Sequence, residues 1–218
     1  MPKLDRALRR LEEFALQRDL TPRISGLERD LAGRNKRQLT RVLDDHGVDA
    51  SILDAALMMK GVVGQIDVII HAVGILVSLP HLLNSDERIV SLSLGAGNTG
   101  REFDLETDQQ VAEFKFIQWR GGPESIRQNQ LFYDFFKLAE EESARRHCLY
   151  VLGKEHPMRF LKHNRALKSV LSKNEAVRDR FRGKYGDSYS VVSQYFDLVQ
   201  HKVEIIDLSE FVPGLSSR

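Results

Sequence analysis

The sequence predicts an α/β protein in which a mixed central sheet follows a helical N-terminal extension. The first supporting observation is a pair of short runs within residues 101–119 that alternate apolar and charged side chains, as half-buried β-strands do. The second is the order of the surrounding segments, since apolar stretches of helical and strand length follow one another from residue 61 onward. A chain of 218 residues with 42% hydrophobic content is long enough for one well-buried domain, or for one domain with a small appendage. We expect a helical lead-in over residues 1–60 and the α/β domain over residues 61–218.

Helical periodicity dominates the N-terminal residues. Leucines recur at helical spacing through residues 3–18, and Thr21-Pro22 predicts the start of a second helix with Thr21 as its N-cap. A polar break at residues 33–35 precedes a further helix from Arg37 to Asp45. The pattern favours a helical lead-in, and an arm that binds nucleic acid or a protein partner is the alternative.

The next helices carry the longest apolar run of the chain. Ser51 or Asp49 caps the first of them, Gly61 and Gly64 mark a break, and residues 65–79 predict a long, mostly buried helix. The run from residue 68 to 83 is interrupted by polar side chains and is shorter than the roughly 20 residues that cross a bilayer. Because the N-terminus has no apolar signal core and the lone Cys148 cannot form an internal disulfide, we expect a cytoplasmic protein.

The two alternating runs are the most informative part of the sequence. In the first run Asp104 and Glu106 alternate with apolar side chains, and in the second Glu113 and Lys115 do so. A two-residue turn at Asp108-Gln109 would set Asp104 directly across from Glu113. The pairing predicts two carboxylates and an ammonium on one face of a β-ribbon.

An Asp followed, on the next strand, by Glu-x-Lys resembles the motif of the PD-(D/E)xK nuclease superfamily. The matching residues are Asp104, Glu113, Phe114 and Lys115, and Phe103 stands where that superfamily usually has proline. The resemblance implies an αβββαβ nuclease-like core, which would cover residues 62–152 of this chain.

The resemblance also implies a role for each residue. Asp104 and Glu113 would bind Mg²⁺ or Mn²⁺ through their carboxylate oxygens, with the carbonyl of Phe114 as a further ligand. Lys115 would orient the attacking water, which makes Asp104, Glu113 and Lys115 the catalytic residues. Glu106 shares their face and would either join a second metal or be solvated. On the charges alone, a surface salt bridge from Lys115 to Glu113 or Glu106 is the alternative.

A polar stripe lies on the helix before these strands. Asp67, His71, Gly74 and Ser78 follow one another at steps of four, three and four residues, so they share one helix face. In the superfamily this helix often contributes an acidic or polar residue, which implies Asp67, His71 or Gln65 as an additional part of the site. A local hydrogen bond between Asp67 and His71 would satisfy both side chains equally well.

A glycine-rich segment at residues 95–100 matches the pattern GxGxxG. A dinucleotide-binding loop needs a helix immediately after it, whereas residues 101–106 predict a strand. We therefore favour a hairpin connection in which glycines supply positive φ angles, over an enzyme that uses a nucleotide.

The C-terminal half predicts a crossover followed by a basic segment. A helix from Gln128 to Ala139 and an apolar strand from His147 to Leu152 predict a parallel βαβ unit, and a final helix and strand fill residues 189–208. Residues 159–184 contain nine Lys or Arg and two Asp or Glu, while the whole chain has a net charge of +1. This segment favours phosphate contacts over a merely solvated surface. The predicted nucleic-acid-binding residues are Arg120, Arg127, Arg159, Lys162, Arg165 and Lys168.

The sequence therefore predicts a Mg²⁺-dependent nuclease that hydrolyses DNA, with RNA as an alternative substrate. The competing hypothesis is a non-catalytic nucleic-acid-binding or scaffolding module with a nuclease-like fold. Cleavage that depends on Lys115 separates the two, because only the nuclease needs that side chain.

Overall fold

The computed structural model describes residues 2–16, 20–32, 36–95, 100–116, 119 and 124–212. The chain divides into two compact units, residues 1–67 and residues 68–218. Each unit has its own packing, and each is described by itself below.

The described residues of the first unit are helical apart from short turns. Its helices are α1 (Pro2–Leu11), continued by a π-helical turn (Glu12–Leu16), α2 (Leu20–Leu31), α3 (Lys36–Asp45), α4 (Ala50–Val63) and the first residues of α5 (Ile66–Leu82). Arg10 ties α1 to the start of α4, since its guanidinium donates to Ser51 Oγ and to the carbonyl of Gly47, both at 2.8 Å. Asp49 caps α4 by accepting from the Ser51 N–H at 2.8 Å, which is one of the two predicted caps.

In the first unit, two details differ from the prediction, and a third lies outside the described residues. Helix α2 already begins at Leu20, so Thr21 lies inside the first turn and is not the N-cap. Gly61 lies within α4, and the break falls at Gly64 and Gln65. The predicted polar break at residues 33–35 lies outside the described residues.

The second unit is built on a five-stranded mixed sheet, in agreement with the predicted α/β class. The strands are β1 (Ile89–Leu92), β2 (Leu105–Thr107), β3 (Gln110–Lys115), β4 (Arg146–Val151) and β5 (Glu204–Asp207), and they lie side by side in that order. The pairs β1–β2 and β2–β3 are antiparallel, whereas β3–β4 and β4–β5 are parallel. The remaining helices are α6 (Ser125–Ala139), α7 (Glu155–Leu161), α8 (Leu167–Leu171), α9 (Glu175–Tyr185) and α10 (Val192–Val199).

The β2–β3 hairpin has the predicted register. Leu105 pairs with Ala112, and residues 108 and 109 form the two-residue turn. Thr107 closes that turn, because its Oγ1 accepts from the backbone N–H groups of Gln109 and Gln110 at 3.0 and 2.7 Å. Continuing this register by one residue sets Asp104 opposite Glu113.

Helices cover both faces of the sheet. On one face, Ile75 and Leu79 of α5 pack with Ala112 and Phe114 of β3. On the other, α6 packs with Val111, Leu149 and Val151, in a cluster that also includes residues of α7, α8, α9 and α10. Because β3 alternates its side chains between the two clusters, the strand that carries Glu113 and Lys115 lies in the middle of the fold.

The prediction that residues 65–79 form a mostly buried helix is wrong. Of α5 only Gly74, Ile75, Ser78 and Leu79 are buried, while Ile69 and Val73 are each 50% exposed. A helix that packs on one side of a sheet covers one of its own faces, and hydropathy does not reveal whether the other face has a partner.

The same region corrects the prediction that the apolar run from residue 68 to 83 is too short to span a bilayer, because that run belongs to a longer helical stretch. Ala50–Leu82 is a 33-residue helical stretch with a mean hydropathy of 2.0 over its most apolar window, of which 22% is buried. By length and composition alone it would suffice to cross a membrane. A buried core helix of a soluble protein can meet the same criterion, so this property does not establish where the protein resides.

Candidate active site

Asp104 lies directly before β2 and is held between β3 and α5. Its Oδ2 accepts from the backbone N–H of Phe114 at 2.9 Å, and its Oδ1 lies 3.4 Å from His71 Nε2. Burial tends to raise the pKa of Asp104, but the hydrogen bonds from His71 and from the Phe114 N–H outweigh it and lower that pKa. Asp104 is therefore an ionised carboxylate fixed at the end of the hairpin.

Glu113 lies opposite Asp104 on β3 and is almost fully buried, with 4% of the residue exposed. Lys137 of α6 contacts its Oε1 and also donates to the backbone carbonyl of Glu102. Burial, together with the charges of Asp134 and Asp104, raises the pKa of Glu113 to about 8, and Lys137 compensates only in part. The carboxyl of Glu113 thus lies in a surplus of negative charge.

Lys115 lies two residues beyond Glu113 on the same strand face and contacts α6 as well. Its Nζ lies 2.7 Å from Oδ2 of Asp134. Burial alone would lower the pKa of Lys115, but the charge and hydrogen bond of Asp134 raise that pKa above its usual range. Lys115 is consequently an ammonium, and its partner is Asp134 rather than the Glu113 or Glu106 considered from the charges alone.

The charges of this group do not balance. Three carboxyl groups, those of Asp104, Glu113 and Asp134, are accompanied by the ammonium groups of only two lysines, Lys115 and Lys137, which is consistent with the raised pKa of Glu113. Lys137 itself lies between a carboxylate oxygen and a carbonyl oxygen, which are the donor types that hard cations take. The donor chemistry therefore fits a cation at Glu113.

A protein cage for a metal is not present among the described residues, because no group of three or more His, Cys, Asp or Glu side chains is arranged to hold one. Mg²⁺ usually keeps several waters and takes only one or two protein carboxylates. Asp104 and Glu113 are carboxyl groups of the kind that this mode of binding uses.

The polar stripe of α5 faces the sheet through three of its members. Gly74 is buried against Phe116, and a Cβ at this position would lie 2.6 Å from the Phe116 ring. Ser78 Oγ donates to the Gly74 carbonyl at 2.7 Å, while His71 contacts Asp104. Asp67 and Gln65 belong to the first unit, where both are exposed. Of the additional candidates, the structure brings His71 to Asp104.

Glu106 is not part of this group. Its Oε1 accepts from Ser91 Oγ at 3.1 Å, and its Oε2 lies 3.4 Å from the guanidinium of Arg145. Residues two positions apart on a strand lie about 6–7 Å from each other. Glu106 therefore contacts Ser91 and Arg145 instead of the residues near Glu113.

The glycine-rich segment connects β1 to β2, as expected for a hairpin. Gly95 and Gly100 have φ angles of 78° and 70°, and residues 96–99 lie outside the described part of the chain. Residues 101–104 are not helical and lead into β2, so the helix that a dinucleotide loop requires does not follow. A Cβ at Gly95 would lie 3.1 Å from the His71 ring, so this glycine permits close packing beside the site.

The sequence analysis predicted a role for Arg127 of α6 but missed Asp134 and Lys137 of the same helix. Arg127, Gln130, Asp134 and Lys137 follow one another at steps of three, four and three residues, which makes a polar stripe on a helix with an apolar opposite face. That periodicity was available in the sequence, but which strand the stripe faces depends on tertiary packing. Asp134 and Lys137 are the two members that contact β3.

A polar cleft of about 510 Å³ opens beside this stripe. The cleft is lined by Lys115 and Asp134, and also by Asn174, the N-cap of α9, and Arg180 in the middle of that helix. Its dimensions and polarity suit a charged, extended ligand more than an enclosed apolar one.

The predicted nucleic-acid-binding residues have several different surroundings. Arg127 pairs with Glu124 at 2.8 Å and lines a small cavity with Lys115. Arg159 and Arg165 line a separate cavity together, while Lys162 and Lys168 are exposed. Arg120 lies outside the described residues.

No protein-family model, curated protein or solved structure matches this chain. Any assignment of function therefore depends on the geometry and charges of the site itself.

Proposed function

We propose that this protein is a metal-dependent nuclease with a PD-(D/E)xK-like core that hydrolyses DNA. The observation that carries the proposal is that Asp104, Glu113 and Lys115 lie near enough for their charges to act on one another, in surroundings that raise the pKa of Glu113 to about 8. A buried carboxyl with surplus negative charge around it is stabilised by a bound cation, and such groups cluster at functional sites.

Each residue has a distinct task in this proposal. Asp104 and Glu113 would hold Mg²⁺ or Mn²⁺, with the Phe114 carbonyl as a neighbouring ligand. When bound, the metal would supply a coordinated water of lowered pKa and would offset the charge of the phosphate. Lys115, held as an ammonium by Asp134, donates hydrogen bonds to the attacking water or to a phosphate oxygen. Its positive charge is suited to stabilising the transition state and not to removing a proton.

Lys137 and His71 are positioning residues. Lys137 contacts Glu113 in the position of a cation, so metal binding would compete with its ammonium for the same carboxylate. His71 fixes one oxygen of Asp104, while the backbone of Phe114 fixes the other. The orientation of both carboxylates is thereby set before a substrate arrives.

The Lys137–Glu113 contact is also the observation that favours the second candidate function. If this ion pair is permanent, the carboxylate is already compensated and the fold would act as a non-catalytic nucleic-acid-binding or scaffolding module. That module would bind DNA in a salt-sensitive manner without cleaving it.

A cleavage assay separates the two functions. Purified protein is incubated with linear, circular and single-stranded DNA, and with RNA, in Mg²⁺, Mn²⁺ or EDTA. The nuclease proposal expects divalent-metal-dependent cleavage of DNA that Lys115→Ala abolishes, with circular dichroism showing that the fold is retained.

The matched control is Lys202→Ala, which removes an exposed lysine after α10. It should cleave like the wild type. Equal cleavage by the wild type and by Lys115→Ala would identify a contaminating nuclease, and salt-sensitive binding without cleavage would support the scaffolding module.

A further inference from the structure

A pocket separate from the Asp104–Glu113 pair combines aromatic and cationic side chains. It has a volume of about 190 Å³. Phe160 lies at its base with 4% exposure. The side chains around it are Trp119, Gln128, His156, Arg159, His163 and Arg165. We call it the Trp119 pocket.

The positive charges of the Trp119 pocket belong to Arg159 and Arg165, and both are available to bind an anion. Arg165 donates to the side-chain amide oxygen of Gln128, and no carboxylate pairs with Arg165 within the described part of the chain. Among the described residues the ion-pair partner of Arg159 is Glu155, and both side chains of that pair are mostly exposed, so the pair is weak. Two guanidinium groups can therefore turn toward a phosphate, which Arg binds with paired N–H donors.

The aromatic wall of the pocket suits a nucleobase. The Trp119 ring lies 6.1 Å from the Phe160 ring and 6.4 Å from the His156 ring, centroid to centroid. Bases stack on such side chains irrespective of sequence. A volume of about 190 Å³ is below the roughly 300–1,000 Å³ of pockets that enclose drug-sized ligands, so the pocket suits a single nucleotide.

The pocket adjoins the candidate active site through side chains that line more than one cavity. Trp119 also lines the small cavity that contains Lys115, Arg127 and Gln130. Lys115 and Gln130 in turn line the 510 Å³ cleft beside Asp134. The small cavity thus shares Trp119 with the Trp119 pocket, and it shares Lys115 and Gln130 with the cleft.

We propose that the Trp119 pocket binds one nucleotide of the substrate strand, with its phosphate against Arg165 and Arg159 and its base against Trp119. This inference rests on the proposed nuclease function and narrows its substrate. A base can stack on Trp119 only when it has left its own duplex stack. The preferred substrate is therefore DNA that offers an unpaired nucleotide beside the scissile phosphate: a single strand, an overhang or a frayed end.

Trp119 is the only tryptophan of the chain, so its fluorescence reports on this pocket without any label. The protein is titrated in EDTA, where no metal-dependent cleavage occurs, with a short single-stranded oligodeoxynucleotide and with a blunt duplex of the same length. We expect saturable quenching by the single strand, at a concentration at least tenfold lower than that needed with the duplex.

Two substitutions test the cationic side of the pocket. Arg165→Gln and Arg159→Gln should each weaken the binding of the single strand, Arg165→Gln at least tenfold. Arg159 is exposed, so its substitution tests the pocket even if Arg165→Gln does not fold. The matched control, Arg88→Gln, removes an exposed arginine before β1 and should bind as the wild type does.

The outcomes for the pocket and for the nuclease are distinguishable. Absence of quenching, equal affinity for strand and duplex, or unchanged affinity in both arginine variants would overturn the pocket proposal even if the protein cleaves DNA. Quenching that requires the arginines, from a protein that cleaves nothing in Mg²⁺ or Mn²⁺, would support the pocket and refute the nuclease.

Discussion

Lys115 and Asp134 form an ion pair of 2.7 Å that joins the central strand β3 to helix α6. Both residues line the polar cleft of about 510 Å³, and they are 19 positions apart in the sequence. The ion pair holds Lys115 as an ammonium and adds a second carboxylate, beside Asp104, to the surroundings of Glu113. The site is therefore a product of the hairpin and of α6 together.

Replacing Asp134 should change both the rate and the pH dependence of cleavage. In Asp134→Asn, Lys115 loses the group that orients it, and we expect cleavage to fall about ten- to a hundredfold. Loss of the negative charge also lowers the pKa of Glu113, so the acid limb of the pH–rate profile should move to lower pH. The control Asp179→Asn changes an exposed carboxylate of α9 and should alter neither property. A profile of Asp134→Asn that superimposes on the wild type would show that Asp134 does not act on Glu113.

The elevated pKa of Glu113 predicts a stability that decreases with pH. In the unfolded chain this carboxyl ionises near pH 4.5, whereas the folded protein keeps its proton to about pH 8. Between these values the folded state binds more protons, so the free energy of unfolding falls as the pH rises. Thermal unfolding between pH 5 and pH 9 measures the slope, and Glu113→Gln should remove this contribution.

Mg²⁺ should oppose that loss of stability. Metal binds the ionised carboxylate, so stabilisation by Mg²⁺ should be larger at pH 9 than at pH 6 in the wild type. The same Mg²⁺ effect at both values, or its persistence in Glu113→Gln, would mean that the cation binds elsewhere.

Removing the ammonium of Lys137 should make the stability of the protein more dependent on Mg²⁺. Lys137→Met keeps the aliphatic stem but removes a charge that lowers the pKa of Glu113, so at pH 9 the ionised form should be less stable than in the wild type by about 1–3 kcal/mol in the absence of metal. We expect Mg²⁺ to recover this loss, so that it stabilises the variant more than the wild type. Urea unfolding with and without Mg²⁺ measures both effects.

Lys184→Met is the matched control for that experiment. Lys184 also pairs with a buried carboxylate, Glu140, at 2.6 Å, and Glu140 accepts from the hydroxyl groups of two tyrosines as well. Its loss should destabilise the protein without any recovery by Mg²⁺. Equal recovery in both variants would point to a general effect of the salt.

Gly74 should be sensitive to the addition of a single methyl group. A Cβ at Gly74 would lie 2.6 Å from the Phe116 ring, so Gly74→Ala must displace α5 or the ring, at a cost of about 1–3 kcal/mol. A Cβ at Gly183 of α9 would meet no neighbouring side chain or segment within 4 Å, so Gly183→Ala should be neutral or stabilise by up to about 1 kcal/mol. Equal stability of the two variants in urea would show that α5 does not pack tightly on β3.

Local sequence patterns were sufficient for the hairpin and for the order of the elements. The alternation of side chains and the two-residue turn at Asp108 and Gln109 determine a register that pairs Leu105 with Ala112 and Glu106 with Val111. The βαβ crossover could also be predicted, because an amphipathic helix separates two apolar strands in the sequence. The structure agrees, since β3 and β4 are parallel.

Contacts between segments that are distant in the sequence could not be predicted from local patterns. Asp134 and Lys137 could be assigned to a polar helix face, but not to the strand that this face meets. The exposure of α5 was missed for a related reason, since Ile69 and Val73 are as apolar as the buried Ile75 and differ only in what lies next to them. Sequence spacing shows which side chains share one face of a helix or strand. Which other element that face contacts depends on how the elements pack together.

The most direct test of the central claim is Mg²⁺-dependent nicking of a supercoiled plasmid by three proteins: the wild type, Glu113→Gln and Glu87→Gln. Both substitutions neutralise a buried glutamate, but Glu87 accepts hydrogen bonds from Thr107 and Gln110, remote from Asp104. We expect the wild type and Glu87→Gln to nick the plasmid in Mg²⁺ and not in EDTA, and Glu113→Gln to be inactive. Nicking by Glu113→Gln at the wild-type rate, or none by the wild type with any divalent metal, would contradict the proposal.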